Sequence, residues 1–427
     1  MKRLVERAAG TLGLRVFYTL VTFITSVMLA RLLGADGFGT YAYATSWTYL
    51  LAIPATVGFD GLLGRELAIY ETKFAWNHMR GLLRWANLLA LSISTVIAAC
   101  AAVTWYITKA NDDPQLVVCF ALAMCALPLM ALRNIRRGAM RGLHKIVYGL
   151  MPEMLVAPSL LLVLIGCTSF WLQKELNAPW AVGAYALATA VSLFLSAVFL
   201  ERFLPFNVTR AFPYYYRLSW IKQAWPFMFI ESIHVINARA DILMIGSLSG
   251  VEAAGIYAPV NRGAQLIVFV LMAFNGPLSP TIASLYADGK TEELQRILNR
   301  SVRICLLVSG VATALLLSFG RQYLLIFGPE FVIGLNALTV LCVGRVLYVF
   351  VGLSSALLSM TGQAQFTAIS GFLGAMINVG LNALLIPQFG VSGAAIATTS
   401  GVLVAGIINT GWAYRKLGIY PNIFGKT

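Results

Sequence analysis

The chain is 427 residues long, 59% hydrophobic and only 11% charged, with a mean hydropathy of +0.79. That composition leaves too little polar surface to coat a water-soluble globule, so the sequence reads as an all-α integral membrane protein. The formal charge of +14 is dispersed over short stretches between apolar runs, where anionic headgroups are the natural counterpart, and no nucleic-acid partner is expected.

A helix needs roughly 20 mostly apolar residues to cross a bilayer. Dividing the chain where Gly, Pro or charge clusters interrupt such runs predicts twelve spans, at about 12–33, 38–60, 82–108, 115–135, 146–170, 179–200, 223–248, 253–286, 300–319, 332–360, 364–386 and 392–414. The first begins with Lys2, Arg3 and Arg7 but contains Arg15 and ends in ARLLGADGFG without a cleavage pattern. It is expected to be a retained helix and not a signal peptide. Pro54 in the second helix and Pro259, Pro277 and Pro280 in the eighth each remove an intrahelical hydrogen bond, so kinks are expected, with Pro54 and Pro259 as hinges. Between helices two and three, RELAIYETKFAWNHMR (65–80) spaces Leu67, Tyr70 and Phe74 along one side, as an interfacial amphipathic helix would.

Basic residues orient the chain. With the N-terminus inside, 24 of the 31 Lys and Arg fall at cytoplasmic ends, four fall outside and three lie within spans. Both termini are therefore expected in the cytoplasm. The densest cluster is RNIRRGAMRGLHK, at 133–145. The six cysteines lie in or beside apolar runs without metal-ligand spacing, so they read as packing residues and neither metal nor cofactor is expected.

Two strings repeat. GADGFGTYA (34–42) and GVEAAGIYA (250–258) align without a gap, pairing Gly34, Gly39, Tyr41 and Ala42 with Gly250, Gly255, Tyr257 and Ala258. Weaker echoes follow in the same order, VGAYALATA (182–190) against SGAAIATTS (392–400) among them. The expectation is two homologous six-helix halves, 1–210 and 211–427, entering the membrane from the same side and enclosing a central cavity.

Ionisable groups within spans are the first candidates for function, because burying them is costly. Arg239, Arg262 and Arg345 are such groups, and a guanidinium suits phosphate oxygens. Each has a competing explanation: Arg262 can snorkel to the interface, and Arg239 and Asp241 point about 160° apart, too far for a good intrahelical pair. On helix seven, Glu231, His234, Asn237 and Asp241 fall within an arc of about 120°. That polar face is either a satisfied network between helices or a cavity lining that binds a coupling ion. Asp60 and Glu153 are of second rank, since an interfacial position accounts for both. No GxxxxGK[ST], HExxH or GxSxG motif is present, which argues against ATP hydrolysis and hydrolytic catalysis.

The strings LARLLGADGFGTYAYA and ADILMIGSLSGVEAAGIYAPV resemble hallmark sequences of the polysaccharide-transport branch of the multidrug, oligosaccharidyl-lipid and polysaccharide (MOP) exporter superfamily. The resemblance extends over nearly the whole chain through helix count, loop lengths and duplication. It implies a MATE-like, V-shaped bundle of twelve helices around a central cavity. The function implied is that of a non-enzymatic flippase, moving an undecaprenyl-pyrophosphate-linked oligosaccharide across the bacterial inner membrane for O-antigen, capsule or exopolysaccharide synthesis. Membrane lipids, a coupling proton or sodium ion, and polymerase and chain-length proteins are the implied partners.

Two other readings stay open. A cation-coupled multidrug exporter of the same fold would favour an acidic, aromatic cavity, and three span-embedded arginines weigh against it. A polytopic O-antigen polymerase or ligase would be expected to carry a large external loop, and none of the predicted loops is long.

Overall fold

The computed structural model describes residues 2–109, 113–171 and 176–419. Helices occupy nearly all of them: α1 (Lys2–Thr56), α2 (Phe59–Thr72), α3 (Trp76–Lys109), α4 (Pro114–Gly142), α5 (Ile146–Met151), α6 (Ala157–Gly166), α7 (Ala178–Phe203), α8 (Phe206–Arg210), α9 (Arg217–Leu248), α10 (Val251–Ala287), α11 (Thr291–Ser318), α12 (Gly320–Leu325), α13 (Leu335–Met360) and α14 (Ala364–Leu417). Among the described residues eight stretches are long and apolar enough to cross a bilayer. Two of these divide internally, α1 at Gly34 and α14 at Gly390. The remaining long helices, α9 and α10, meet the length requirement at 32 and 37 residues. Helices thus overlie all twelve predicted spans.

Local chemistry sets the boundaries. Asp113 and Asn177 cap α4 and α7 by accepting the backbone N–H of Leu116 and Trp180, each at 3.0 Å, which satisfies donors that the first turn leaves free. Gly34 (φ 68°, ψ −178°) and Gly250 (φ 92°, ψ 163°) adopt a backbone state open essentially only to glycine. These are the first glycines of the two repeated strings, and both stand where one span turns into the next. Inside the helices, Thr22, Thr25 and Thr45 return their hydroxyls to the carbonyl four residues earlier, hiding polar hydrogens that lipid could not solvate.

The chain forms two compact units, Met1–Arg239 and Ala240–Thr427. The first has a core at the basic end of its helices, where Leu62, Leu63 and Leu67 of α2 meet Met79 and Leu82 of α3, Ile135 of α4 and Trp220 of α9. The second is centred on Leu271, Ile282, Leu298, Val302, Leu353 and Leu357, which join α10, α11 and α13.

One expectation needs correction, and two prolines find their places. The 65–80 strip is not one interfacial helix: α2 ends at Thr72, and Phe74 takes a positive φ of 54° before α3 begins. Leu67 is fully buried and packs into the first core, whereas Phe74 is 74% exposed, so the apolar residues of the strip do not share one surface. At Pro54 the helix continues to Thr56, and the break comes at Val57 and Gly58, both with positive φ. Pro259 lies within α10, which runs through it without interruption.

Candidate functional site

In the second unit, Asp241 is 3% exposed. It sits nine residues before Gly250, and Tyr257 seven after it, so the turn brings them level on antiparallel helices. The Tyr257 hydroxyl donates to Asp241 Oδ2 at 2.9 Å. Thr398 Oγ1 donates to the same oxygen at 2.6 Å, and Asn382 Nδ2 donates to Oδ1 at 2.9 Å. Asn382 Nδ2 also reaches Asn378 Oδ1, at 2.7 Å. Asn378 and Asn382 precede the Gly390 break in α14 and Thr398 follows it, so both arms of that helix contribute. The arms approach closely because Gly374 faces Gly401, where a β-carbon on either would strike the opposing carbonyl.

All five side chains are buried. The carboxylate is held by three neutral donors, and among the described ion pairs none involves Asp241. Asn382 Oδ1 and Asn378 Nδ2 are buried without a hydrogen-bond partner. The pocket therefore offers one formal negative charge and further amide and hydroxyl oxygens, a donor set that suits a proton or a monovalent hard cation. No group of three or more His, Cys, Asp or Glu able to hold a metal ion occurs among the described residues.

The residues of the arc on helix seven differ in burial. Asp241 is buried, whereas Glu231 and His234 are exposed. Asn237 turns its amide back to the Ile233 carbonyl at 2.9 Å. The two competing readings of the arc thus separate by residue: Asp241 is in an interhelical network, and the other three are outside it.

The span arginines are also distinct. Arg239 lays its guanidinium over the Tyr49 ring, 4.3 Å from the centroid, a stacking that uses its face and not its in-plane donors. Arg345 is half-buried, with Nε lacking a partner, and lies within electrostatic reach of Tyr257 and Tyr348. Arg262 lies near Tyr323, whose hydroxyl donates to the Pro259 carbonyl at 2.9 Å.

In the first unit the basic cluster is more than a topological signal. Arg137 bridges Asp60 at 2.8 Å and Glu153 at 2.7 Å, Arg141 reaches Asp60 at 2.6 Å, and Arg133 lies 3.8 Å from Glu153. Asp60 and Glu153 are thus members of an ion network joining α2, α4 and the π-helical turn Pro152–Val156. Gly138 makes the approach possible, since a β-carbon there would collide with the Asp60 backbone. The signal was available in the sequence: 133, 137 and 141 are four apart and share a helix face.

Sequence comparison is consistent with this architecture. A family model described as "Polysaccharide biosynthesis protein" matches residues 7–286, and the MatE model matches 226–384. "Probable flippase AglR" of Haloferax volcanii is 24% identical over 96% of this chain and 83% of its own length. Stage V sporulation protein B of Bacillus subtilis is 21% identical over 93% and 81%. An inward-facing multidrug resistance MATE family transporter of the MOP superfamily superposes with a TM-score of 0.74 at 16% identity, covering 94% of each chain. That likeness is one of fold.

Proposed function

The chain belongs to the polysaccharide biosynthesis protein family, the polysaccharide-transport branch of the MOP exporters, and from that premise we propose that it is a flippase for a polyprenyl-pyrophosphate-linked oligosaccharide. The lipid is proposed to be undecaprenyl, the membrane the bacterial inner membrane with both termini cytoplasmic, and the pathway one of surface polysaccharide synthesis. The halves 1–210 and 211–427 are proposed as the duplicated units that rock during transport.

The supporting observation is the state of the span arginines. A lipid-linked head carries its anionic pyrophosphate through a region where an unpaired cation is expensive. Arg239 is stacked on a ring, Arg345 has an unsatisfied buried nitrogen, and neither joins an ion pair among the described residues. Guanidiniums not already neutralised can receive an anion without first breaking a salt bridge. Arg345 and Arg239 are proposed to offset the pyrophosphate, with Arg262 assisting. Asp241, in its oxygen-rich pocket, is proposed to take up a proton or sodium ion. Glu231, His234 and Asn237 contribute polarity on the same helix, while Pro54 and Pro259 are retained as hinge positions.

Arg345→Ala should reduce surface-polysaccharide complementation about tenfold or more, the scale of one lost charge-assisted hydrogen bond, at unchanged membrane abundance. Arg345→Lys should recover part of the activity because charge survives without the planar fork. Full complementation by Arg345→Ala at native expression removes this residue from the site.

A further inference from the structure

A second basic site lies in the first unit, apart from the ion network of Arg133, Arg137 and Arg141. Between α3, α4, α7 and the start of α9 is a cleft of about 700 Å³, within the range of small-ligand sites. Its polar groups gather at one end: Arg84, Arg136 and Arg217 opposed by Glu201. Leu88 and Leu91 of α3, Leu132 of α4 and Leu200 of α7 form much of its apolar lining. Along α3, Leu91 is about 10 Å deeper than Arg84 at the helical rise per residue. The cleft is therefore charged at its mouth and apolar below, the profile of an amphiphile standing upright in one leaflet.

Several polar atoms on its walls have no partner within the protein. Arg136 Nη1 and Trp85 Nε1 are buried donors without acceptors, and Asn87 Oδ1 is a buried acceptor without a donor. Asn87 already uses its amide nitrogen on the Leu83 carbonyl, at 2.8 Å. Arg217 is held in place by two rings, 4.8 Å from Trp85 and 5.3 Å from Tyr215. Three cations, one of them with an unsatisfied buried N–H, thus line one cleft together with the unsatisfied indole N–H of Trp85 and a single carboxylate.

We propose that this cleft is a binding site for an anionic glycerophospholipid of the surrounding leaflet, its phosphate on Arg84, Arg136 and Arg217 and its acyl chain along the leucines. Basic pockets between helices at the membrane surface are where anionic headgroups are retained. Asn87 Oδ1 and Glu201 supply acceptors for headgroup hydroxyls, which favours a phosphatidylglycerol-type diester over one without hydroxyls. An oligosaccharide would need a broader polar lining than one amide and one carboxylate. The site does not depend on the transport reading, and a failure of either leaves the other standing.

The test is native mass spectrometry of the purified full chain titrated with phosphatidylglycerol or phosphatidylcholine, with glycerol 3-phosphate and a polyprenyl phosphate as competitors. Wild type should retain one phosphatidylglycerol in preference to phosphatidylcholine. Arg84→Gln combined with Arg217→Gln, both exposed positions, should weaken it by about twenty-five-fold, at roughly fivefold per cation. The Lys/Lys counterpart should retain most of the affinity, and the helical circular dichroism of both variants should match wild type. Equal retention of the two phospholipids, or identical binding by wild type and the Gln/Gln variant, overturns the proposal. Displacement by glycerol 3-phosphate at equal concentration would make it a free-anion site. Stronger competition by polyprenyl phosphate would assign it to the transported lipid; either result overturns the phospholipid.

Discussion

Asp241 is buried within an apolar helix and held by Tyr257, Thr398 and Asn382. Its position in an apolar helix marks it as costly, which is why it is conspicuous in the sequence. Its partners are not legible there, because Asn382 and Thr398 are 141 and 157 residues away, and only the folding back of α14 at Gly390 brings them together. Conversely, Glu231 and His234 share its helical arc but remain exposed, since periodicity reports direction and not what lies opposite. If the pocket couples ion occupancy to transport, Asp241→Asn should express and fold well, because Thr398 and Tyr257 hydroxyls can rotate to accept from the new amide. In proteoliposomes with imposed pH or sodium gradients, it should lose the gradient response while keeping basal activity. An undiminished gradient response would reduce the pocket to a packing network.

At the level of helices, the repeated glycines explain why two spans can follow one another without a loop. Gly34 and Gly250 combine positive φ with an extended ψ, a state from which a side chain is excluded by its own backbone. Nothing lies within 4 Å of a β-carbon built on Gly250, so the cost of Gly250→Ala is conformational and not steric. It should lower stability by about 1–3 kcal/mol. The control is Gly310→Ala in the middle of α11, where space is equally open and Ala should stabilise by up to about 1 kcal/mol. Thermal unfolding in detergent should move in opposite directions for the two, and a like shift would refute the backbone argument. The helix boundaries were legible in part from such glycines, whereas the caps at Asp113 and Asn177 emerge only in the structure. The ion network of Arg133, Arg137 and Arg141 with Asp60 and Glu153 was half legible: the basic stripe is visible in the spacing, but a positive-inside reading accounts for the same residues without requiring partners.

For the whole molecule, composition and apolar spacing were sufficient to give an all-helical membrane protein, because lipid permits few alternatives for a chain this poor in charge. Substrate choice is a finer matter, as the MOP fold is shared by exporters of unlike cargo and fold alone does not assign it. The proposed discriminator is charge: Arg239 and Arg345, which join no ion pair among the described residues, suit an anionic lipid-linked head better than a cationic drug. The most direct measurement is translocation by the purified chain in liposomes, comparing a fluorescent polyprenyl-pyrophosphate-linked oligosaccharide, read by protection from an impermeant quencher, with uptake of a lipophilic cation. A flippase of this kind should give protein-dependent flipping of the lipid-linked sugar, lowered about tenfold or more by Arg345→Ala, and no gradient-driven uptake of the cation. Gradient-driven cation uptake without movement of the lipid-linked sugar would contradict it.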